Sequence, residues 1–508
     1  MTKIIDLSCS LKNFGMDPTD ARIYRLNHAE SQRKLAKRFG LEPEQVIPCG
    51  AMEQVNARSH AGTHVDAPFH FGPTSGGKPA LKIDRVPLEW CYGNGVLLDF
   101  AQSKKPGEAI TTEDLKKELT RIRTTLRTND IVLIRTGAED YQEDEPRFEE
   151  MASGLIKESL YWLLDRGVRM ICTDAWTLDR PVPRMAEDLK RGNPGAFFPV
   201  HYAGRDREYV HAEKFSNLKS LPQPTGFRVA MFPIKIEDGT GAWARAAAIA
   251  GEGPLTKMPE FLDLSVPIKS QGMDWYEQTV EQFSDEETAR RYAKRFGINL
   301  KLLPTPNLWP SDDVTCSSHA GTHVNAPWHY ASIVEGQPAK TIDQISLERC
   351  YGDGVLLDFS TKKRNGPITT RDLMGKLRRI GYELKPGDIV LIRTGAEDFP
   401  LDAPKFNRMP AGLSGEAFSW LFDKGITMTG TDAFTTDISI GIMSQRLKNE
   451  DKAPHFPLYK GGFPKDSCHA ERLYNLKKLP RPFGFKVALF PIKLEKCSGA
   501  WTRAVAIL

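Results

Sequence analysis

The chain has 11 histidines, and three of them fall within eleven residues, in Ser59-His60-Ala-Gly-Thr-His64-Val-Asp66-Ala-Pro68-Phe-His70. Gly62 and Pro68 disfavour a regular helix through this stretch. In an extended segment alternate residues share a face, so His64 and Asp66 point the same way, and Gly62 leaves room for close packing against an ion. Two imidazoles and a carboxylate within seven residues make a nitrogen–oxygen donor set suited to Zn²⁺ or Mn²⁺. The competing reading, loop histidines satisfied by hydrogen bonds, suits a lone histidine better than a cluster this dense.

The elements that must position these residues come in duplicate. Leu88-Glu-Trp-Cys-Tyr-Gly-Asn-Gly-Val-Leu-Leu-Asp-Phe100 returns as Leu347-Glu-Arg-Cys-Tyr-Gly-Asp-Gly-Val-Leu-Leu-Asp-Phe359, an offset of 259. Asp130-Ile-Val-Leu-Ile-Arg-Thr-Gly-Ala-Glu-Asp140 returns unchanged from Asp388, and the segment at Gly226 returns from Gly484, both at 258. Solenoid repeats span ~20–50 residues, so these are two whole domains, predicted at 1–252 and 259–508 with a Gly/Pro-bearing connector at 251–260. Each copy reads as mixed α/β. Apolar runs at 95–100, 130–135 and 167–172 have the length of buried strands. Thr112 opens a helix as its N-cap, a helical stripe runs through 153–165, and charged helices are expected at 29–39 and 285–296. Segments from 227 and 242 read as further strands, and the strand–helix–strand order predicts an α/β layer.

Composition narrows the function classes. Hydrophobic residues make up 40% and charged residues 26% of 508, a soluble globular balance. Lys+Arg 69 against Asp+Glu 65 gives a net charge of +4, too weak to argue for nucleic acid or an anionic membrane surface as partner. No apolar run approaches the ~20 residues of a membrane span, and the first residues lack the apolar core of a signal peptide. Eight scattered cysteines without a CxxC pair read as reduced thiols, which predicts a cytoplasmic protein. P-loop, dinucleotide-fingerprint, nucleophile-elbow and zinc-finger spacings are absent.

The string from His60 to Phe71, His-X-Gly-Thr-His-X-Asp-X-Pro-X-His-Phe, resembles the signature of the cyclase family of metal-dependent hydrolases, which includes bacterial kynurenine formamidase and isatin hydrolase. Asp6-Leu-Ser8 and Asp263-Leu-Ser265 resemble the family's opening strand, and Gly241-Ala-Trp-Ala-Arg245 its closing strand. The resemblance implies that His60, His64 and Asp66 bind a metal and that His70 shuttles protons. It further implies a second ion held by Asp66 with His201 and Glu213, which lie twelve residues apart. His211, two residues before Glu213, is either a support for that ligand or a packing histidine. The implied fold is a pair of tandem swivelling β/β/α domains, packed as an internal pseudo-dimer in the manner of the family's homodimers, with further homo-oligomerisation left open. The implied reaction is hydrolysis of an amide, cyclic imide or lactone carbonyl in a small molecule. The metal, Zn or Mn and one or two ions, would lower the pKa of water from ~15.7 toward ~7. His70 would move the proton. Two other readings stand beside this one. One is a biosynthetic cyclase or dehydratase that stabilises an enolate. The other is a non-catalytic binding protein, against which the intact ligand set argues. The formamidase-type Pro-X-Trp-Pro-Gly-Asp motif is replaced by Asn13-Phe-Gly-Met-Asp-Pro18, so the sequence does not name the substrate.

The second copy has lost ligands. It reads His319-Ala-Gly-Thr-His323-Val-Asn325-Ala-Pro-Trp-His329, with an amide in place of Asp66. Ungapped alignment sets Tyr459 against His201, His469 against His211 and Glu471 against Glu213. His319, His323 and Glu471 would hold an ion weakly at best, and a decayed structural copy is the favoured expectation. Segments 9–58 and 266–317 diverge most and are expected to select the substrate. Asp174 and Asp179 (Asp432 and Asp437 in the second copy) either hydrogen-bond around the site or form turns. Arg135 is expected in a structural ion pair.

Overall fold

Runs of β-branched and aliphatic residues set the sheets. Ile131–Arg135 and Met170–Thr173 are buried almost throughout, as strands covered on both faces must be. A computed structural model describes residues 2–13, 21–39, 42–45, 50–143, 145–270, 278–303, 305, 307–362, 366–400, 411–437 and 466–508. These central strands belong to a nine-stranded sheet. Its order is Lys3–Asp6, Ala247–Ala250, Phe227–Ala230, Tyr92–Asp99, Ile131–Arg135, Met170–Thr173, Val210–Glu213, His64–Asp66 and Gly241–Trp243. The four strands from Tyr92–Asp99 to Val210–Glu213 run parallel, and the flanking pairs are antiparallel. A second nine-stranded sheet repeats the order, from Phe261–Asp263 and Val505–Ile507 through Ile389–Arg393 to His323–Asn325 and Gly499–Trp501. Mixed α/β architecture in two tandem copies is what the sequence predicts.

The chain forms two compact units that are discontinuous in sequence. Unit 1 comprises 1–22, 56–258 and 279–315, and unit 2 comprises 23–55, 259–278 and 316–508. Each unit therefore takes the body of one repeat and an arm from the other. In unit 1 the arm contributes the helix Asp285–Phe296 and, on either side of it in sequence, the antiparallel pair of strand Thr279–Phe283 with strand Ser311–Ser317 as far as Thr315.

Helices Thr112–Arg121 and Lys157–Leu164 cover one face of the unit 1 sheet. Leu115, Leu119, Leu160 and Leu163 pack with Val96, Leu98, Val132 and Ile134. Each such side chain contributes about 1.5–3 kcal/mol when fully buried. The N-cap of the first helix is Thr111, not Thr112. Its hydroxyl accepts from the Asp114 N–H at 3.3 Å, and the Asp114 carboxylate accepts from the Thr111 N–H at 2.8 Å. The reciprocal box needs an acid three residues on, which Thr111 has and Thr112 lacks. The expected helix 153–165 starts later, because Gly154–Leu155 pairs in parallel with Ala109–Ile110. A Cβ on Gly154 would fall 2.3 Å from the Asp179 carbonyl, so only glycine lets that strand approach.

Candidate metal centre and active site

The strand His64–Asp66 lies between Val210–Glu213 and Gly241–Trp243. Its period of two puts His64 and Asp66 on one face, and the antiparallel register sets Glu213 opposite His64 and His211 opposite Asp66. Gly62, at φ +60°, turns the chain so that His60 folds back over this face. The His60 ring rests against Gly241, where a Cβ would lie 2.5 Å from its Cε1. His70 sits on the short helix Pro68–Phe71, and His201 on Pro199–Asp206. All of the predicted first-copy residues therefore converge, and all are buried.

Hydrogen bonding assigns the protons. His64 Nδ1 donates to the Gly62 carbonyl at 2.8 Å, His70 Nδ1 to the Pro310 carbonyl at 2.8 Å, and His201 Nδ1 to Asp179 Oδ2 at 2.6 Å. Each leaves its Nε2 lone pair facing carboxylates. His64 Nε2 is 3.2 Å from Asp66 Oδ1 and 3.6 Å from Glu213 Oε2, while His70 Nε2 and His201 Nε2 are each 3.8 Å from Asp66 Oδ2. His60 Nδ1 lies 2.6 Å from Asp66 Oδ1. Acceptors facing acceptors repel until a cation joins them, so the donor set fits a metal ion. Two groupings share Asp66: His60, His64 and Asp66, and Asp66, His201, His211 and Glu213.

His211 serves differently. Tyr209 donates its hydroxyl to the Val200 carbonyl at 3.0 Å and so accepts from His211 Nδ1 at 3.1 Å. His211 Nε2 lies 2.7 Å from Asp66 Oδ2 and 3.3 Å from Glu213 Oε1. Burial works against its charge, but Asp66 and Glu213 raise its pKa to about 10, so without a metal it is an imidazolium donor. Burial would raise Asp66, yet the histidines around it, when protonated, hold it well below the usual carboxylate range: His70 first, then His60, His64 and His211. Burial, with His60 beside it, holds His70 well below its ordinary value, so it is a neutral base.

Asp179 joins the site: it accepts from the Val200 and His201 N–H groups as well as from His201 Nδ1. Asp174 instead binds the turn at Thr136, Gly137 and Glu139, and burial raises its pKa to about 6. Arg135 pairs with Asp99 at 2.9 Å and Glu139 at 2.7 Å, the structural ion pair expected of it. Glu213 is steadied by the Leu178 N–H at 2.9 Å.

The cluster floors a cavity of about 510 Å³ within unit 1. Aromatic walls come from Trp176, Phe198, Tyr292 and Trp309, and cations from Arg58, Lys214, Arg291 and Arg295. Tyr292, Arg291, Arg295 and Trp309 belong to the arm 279–315. The sequence marks 266–317 as divergent without singling out these residues; the helical spacing of Arg291, Tyr292 and Arg295 is the available signal, and Trp309 lies beyond that helix.

In unit 2, His319 Nδ1 lies 2.7 Å from Asn325 Oδ1, His323 Nε2 lies 3.5 Å from Glu471 Oε2, and His329 Nδ1 donates to the Ala51 carbonyl at 2.7 Å. Among the described residues no metal-type grouping forms there. Tyr459 lies outside the described residues, as do 14–18 of the Asn13–Pro18 stretch. No described helix is long and apolar enough to cross a membrane.

Comparison with known proteins agrees with the motif. Kynurenine formamidase of Bacillus cereus is 23% identical over 210 residues, 41% of this chain and 80% of that protein. Kynurenine formamidase of Erythrobacter litoralis is 30% identical over 160 residues, 28% of this chain and 66% of that protein. Among solved structures, isatin hydrolase A of Ralstonia solanacearum aligns with a TM-score of 0.39 at 21% identity, over 49% of this chain and 92% of that one. The Cyclase family model matches residues 5–180 and again 262–438. With one match in each repeat and most of the sequence covered, the chain belongs to the cyclase family of metal-dependent hydrolases as a tandem duplication.

Proposed function

We propose that the chain hydrolyses an amide, cyclic imide or lactone carbonyl of a small molecule at one working site, in unit 1. One observation carries this reading: imidazoles anchored through Nδ1 turn their Nε2 atoms toward Asp66 and Glu213 at the floor of a cavity. His60, His64 and Asp66 would hold one divalent ion, and Asp66, His201 and Glu213 a second. Imidazole and carboxylate donors accommodate Zn²⁺ or Mn²⁺ alike. When bound, the ion acidifies water and polarises the substrate carbonyl.

The chain's own residues supply the rest. His70 presents an unprotonated Nε2 beside Asp66, so it accepts a proton from the attacking water and returns it to the departing nitrogen or oxygen. Asp179 fixes the ring of His201, and His211 orients Asp66 and Glu213. The aromatic walls suit a planar substrate, and Arg291 on the arm helix suits an anionic substituent, whereas Arg295 is paired with Glu149. The relatives named kynurenine formamidase support an amide carbonyl. Unit 2 serves as scaffold. The seven cysteines among the described residues are all buried, which suits a cytoplasmic setting.

The test combines elemental analysis of the purified chain with turnover of a panel of formamides, cyclic imides and lactones in ¹⁸O-water. Metal uptake with ¹⁸O in the product acid is the expected result. Turnover without ¹⁸O incorporation would replace hydrolysis by enolate chemistry, and binding without turnover would make the chain a binding protein.

A further inference from the structure

Asp312 stands on the arm of unit 1, on strand Ser311–Ser317, and is fully buried. Its Oδ2 accepts from the Thr240 N–H at 2.7 Å, the Thr240 hydroxyl at 2.6 Å and the Ser59 hydroxyl at 3.1 Å. The Thr240 hydroxyl has a single proton, and the carboxylate takes it. That oxygen also lies 2.9 Å from His60 Nε2, where it is left only to accept. His60 therefore carries a proton on Nε2, which leaves Nδ1, 2.6 Å from Asp66 Oδ1, as the nitrogen whose proton a cation can replace. We propose that Asp312 is a positioning residue of the metal centre, acting through Thr240 to hold His60 as the Nε2–H tautomer so that Nδ1 is its ligating atom.

Unit 2 supplies an independent second instance. Glu53, on the arm of that unit, accepts from the Ser498 N–H and hydroxyl at 2.9 Å each, and from the Ser318 hydroxyl at 2.7 Å. The Ser498 oxygen lies 2.9 Å from His319 Nε2. An acid from the arm, a hydroxyl and a histidine thus recur with changed letters: Glu for Asp and Ser for Thr. The Ser498 hydroxyl also lies 2.7 Å from the Ala51 carbonyl, and with either oxygen as its acceptor it is left to accept from His319. His319 Nδ1 then needs a donor. Asn325 has an amide nitrogen without a hydrogen-bond partner as placed. Turning the amide over brings that nitrogen to His319 Nδ1, giving it the proton that a cation replaces in unit 1. The relay has outlived the ligand it served in the second copy.

The inference rests on the metal reading of unit 1, and the test separates the two. Zinc affinity of the full chain is measured by competition with a chelator. The tautomer of His60 in the metal-free chain is read from its imidazole ¹⁵N shifts. Thr240→Val keeps the shape, removes the hydroxyl and leaves Asp312 its other two donors. It should weaken zinc binding ~10–100-fold, the usual effect of losing a group that orients a ligand, and should mix the His60 tautomers. Thr240→Ser and Asp312→Glu, the residue types at the matching places in unit 2, should leave both readouts as in the wild type. Unchanged zinc affinity with His60 still protonated on Nε2 in Thr240→Val would overturn the relay. A wild-type chain that takes up no zinc or manganese would overturn the metal reading itself, whatever Thr240 does.

Discussion

At the residue scale, charge and proton placement decide what each side chain does. Asp66 is shared by both ligand groupings, so its loss should be felt by every ion the centre holds. Asp66→Ala should leave the purified chain with little metal, whereas Asn325→Ala, at the matching place in the second copy, should leave metal content unchanged. Elemental analysis of both variants checks this, and equal losses would sink the asymmetric assignment. His70 differs in kind. Its Nδ1 is fixed by the Pro310 carbonyl and its Nε2 stands back at 3.8 Å from Asp66. His70→Ala should retain metal while turnover falls ~10²–10⁴-fold, the contribution of a positioned acid–base group. His329→Ala should alter neither. Metal loss in proportion to activity loss in His70→Ala would make His70 a ligand.

At the scale of elements, close backbone approach and helix periodicity shape the site. Gly241→Ala would put a methyl 2.5 Å from His60 Cε1 and 2.9 Å from the Val65 carbonyl, so His60 must leave its place. The expected result is metal loss together with about 1–3 kcal/mol of overpacking. Gly499→Ala, against His319 at 2.6 Å, should cost stability alone, as denaturant midpoints and metal content would show. On the arm helix, Thr288, Arg291, Tyr292 and Arg295 recur at helical spacing and line the cavity. Arg291 stacks on Phe283 at 3.8 Å, and its pairing with Glu287 at 3.6 Å is solvent-exposed and weak, so a substrate anion could displace that partner. Arg291→Gln should raise KM for an anionic substrate and spare kcat and neutral analogues. Equal effects on both would remove the anion contact. The motif, the strands and the repeat were legible because each is written in adjacent residues. Asp179 was ambiguous, since Asp174 recurs in the same repeat and only geometry shows which one reaches His201. The exchange of arms was illegible: a constant offset says that segments correspond, not which body they pack on.

Across the whole molecule, the two units answer to different physics. Burial lowers His329 to about 4 and His469 to about 3, from an ordinary 6.5. Both are depressed in the folded state, so the unfolded chain binds more protons between about 4 and 6.5. Stability of unit 2 is therefore full above 6.5 and falls as pH drops through that window, by about 3 kcal/mol for His329 alone. Urea midpoints at successive pH values should show the fall, and His329→Phe should make it shallower, with the His469 contribution remaining. The arrangement of arms makes a sharper demand. A fragment of residues 1–252 keeps every candidate ligand but lacks 279–315, which belong to unit 1. With them go the Pro310 carbonyl that orients His70, the Asp312 carboxylate behind Thr240 and His60, and the Trp309 wall packed on Phe198 at 4.5 Å between ring centroids. The fragment also exposes the apolar face that Ala289, Ile298 and Leu308 cover beside Met185 and Leu189. It should aggregate or bind metal poorly and turn over far more slowly than the full chain. A fragment of residues 1–315 restores the arm and should recover metal binding. A monomeric, metal-replete and fully active 1–252 fragment would mean that the arm is dispensable, and that the duplication serves something other than completing the site of the first copy.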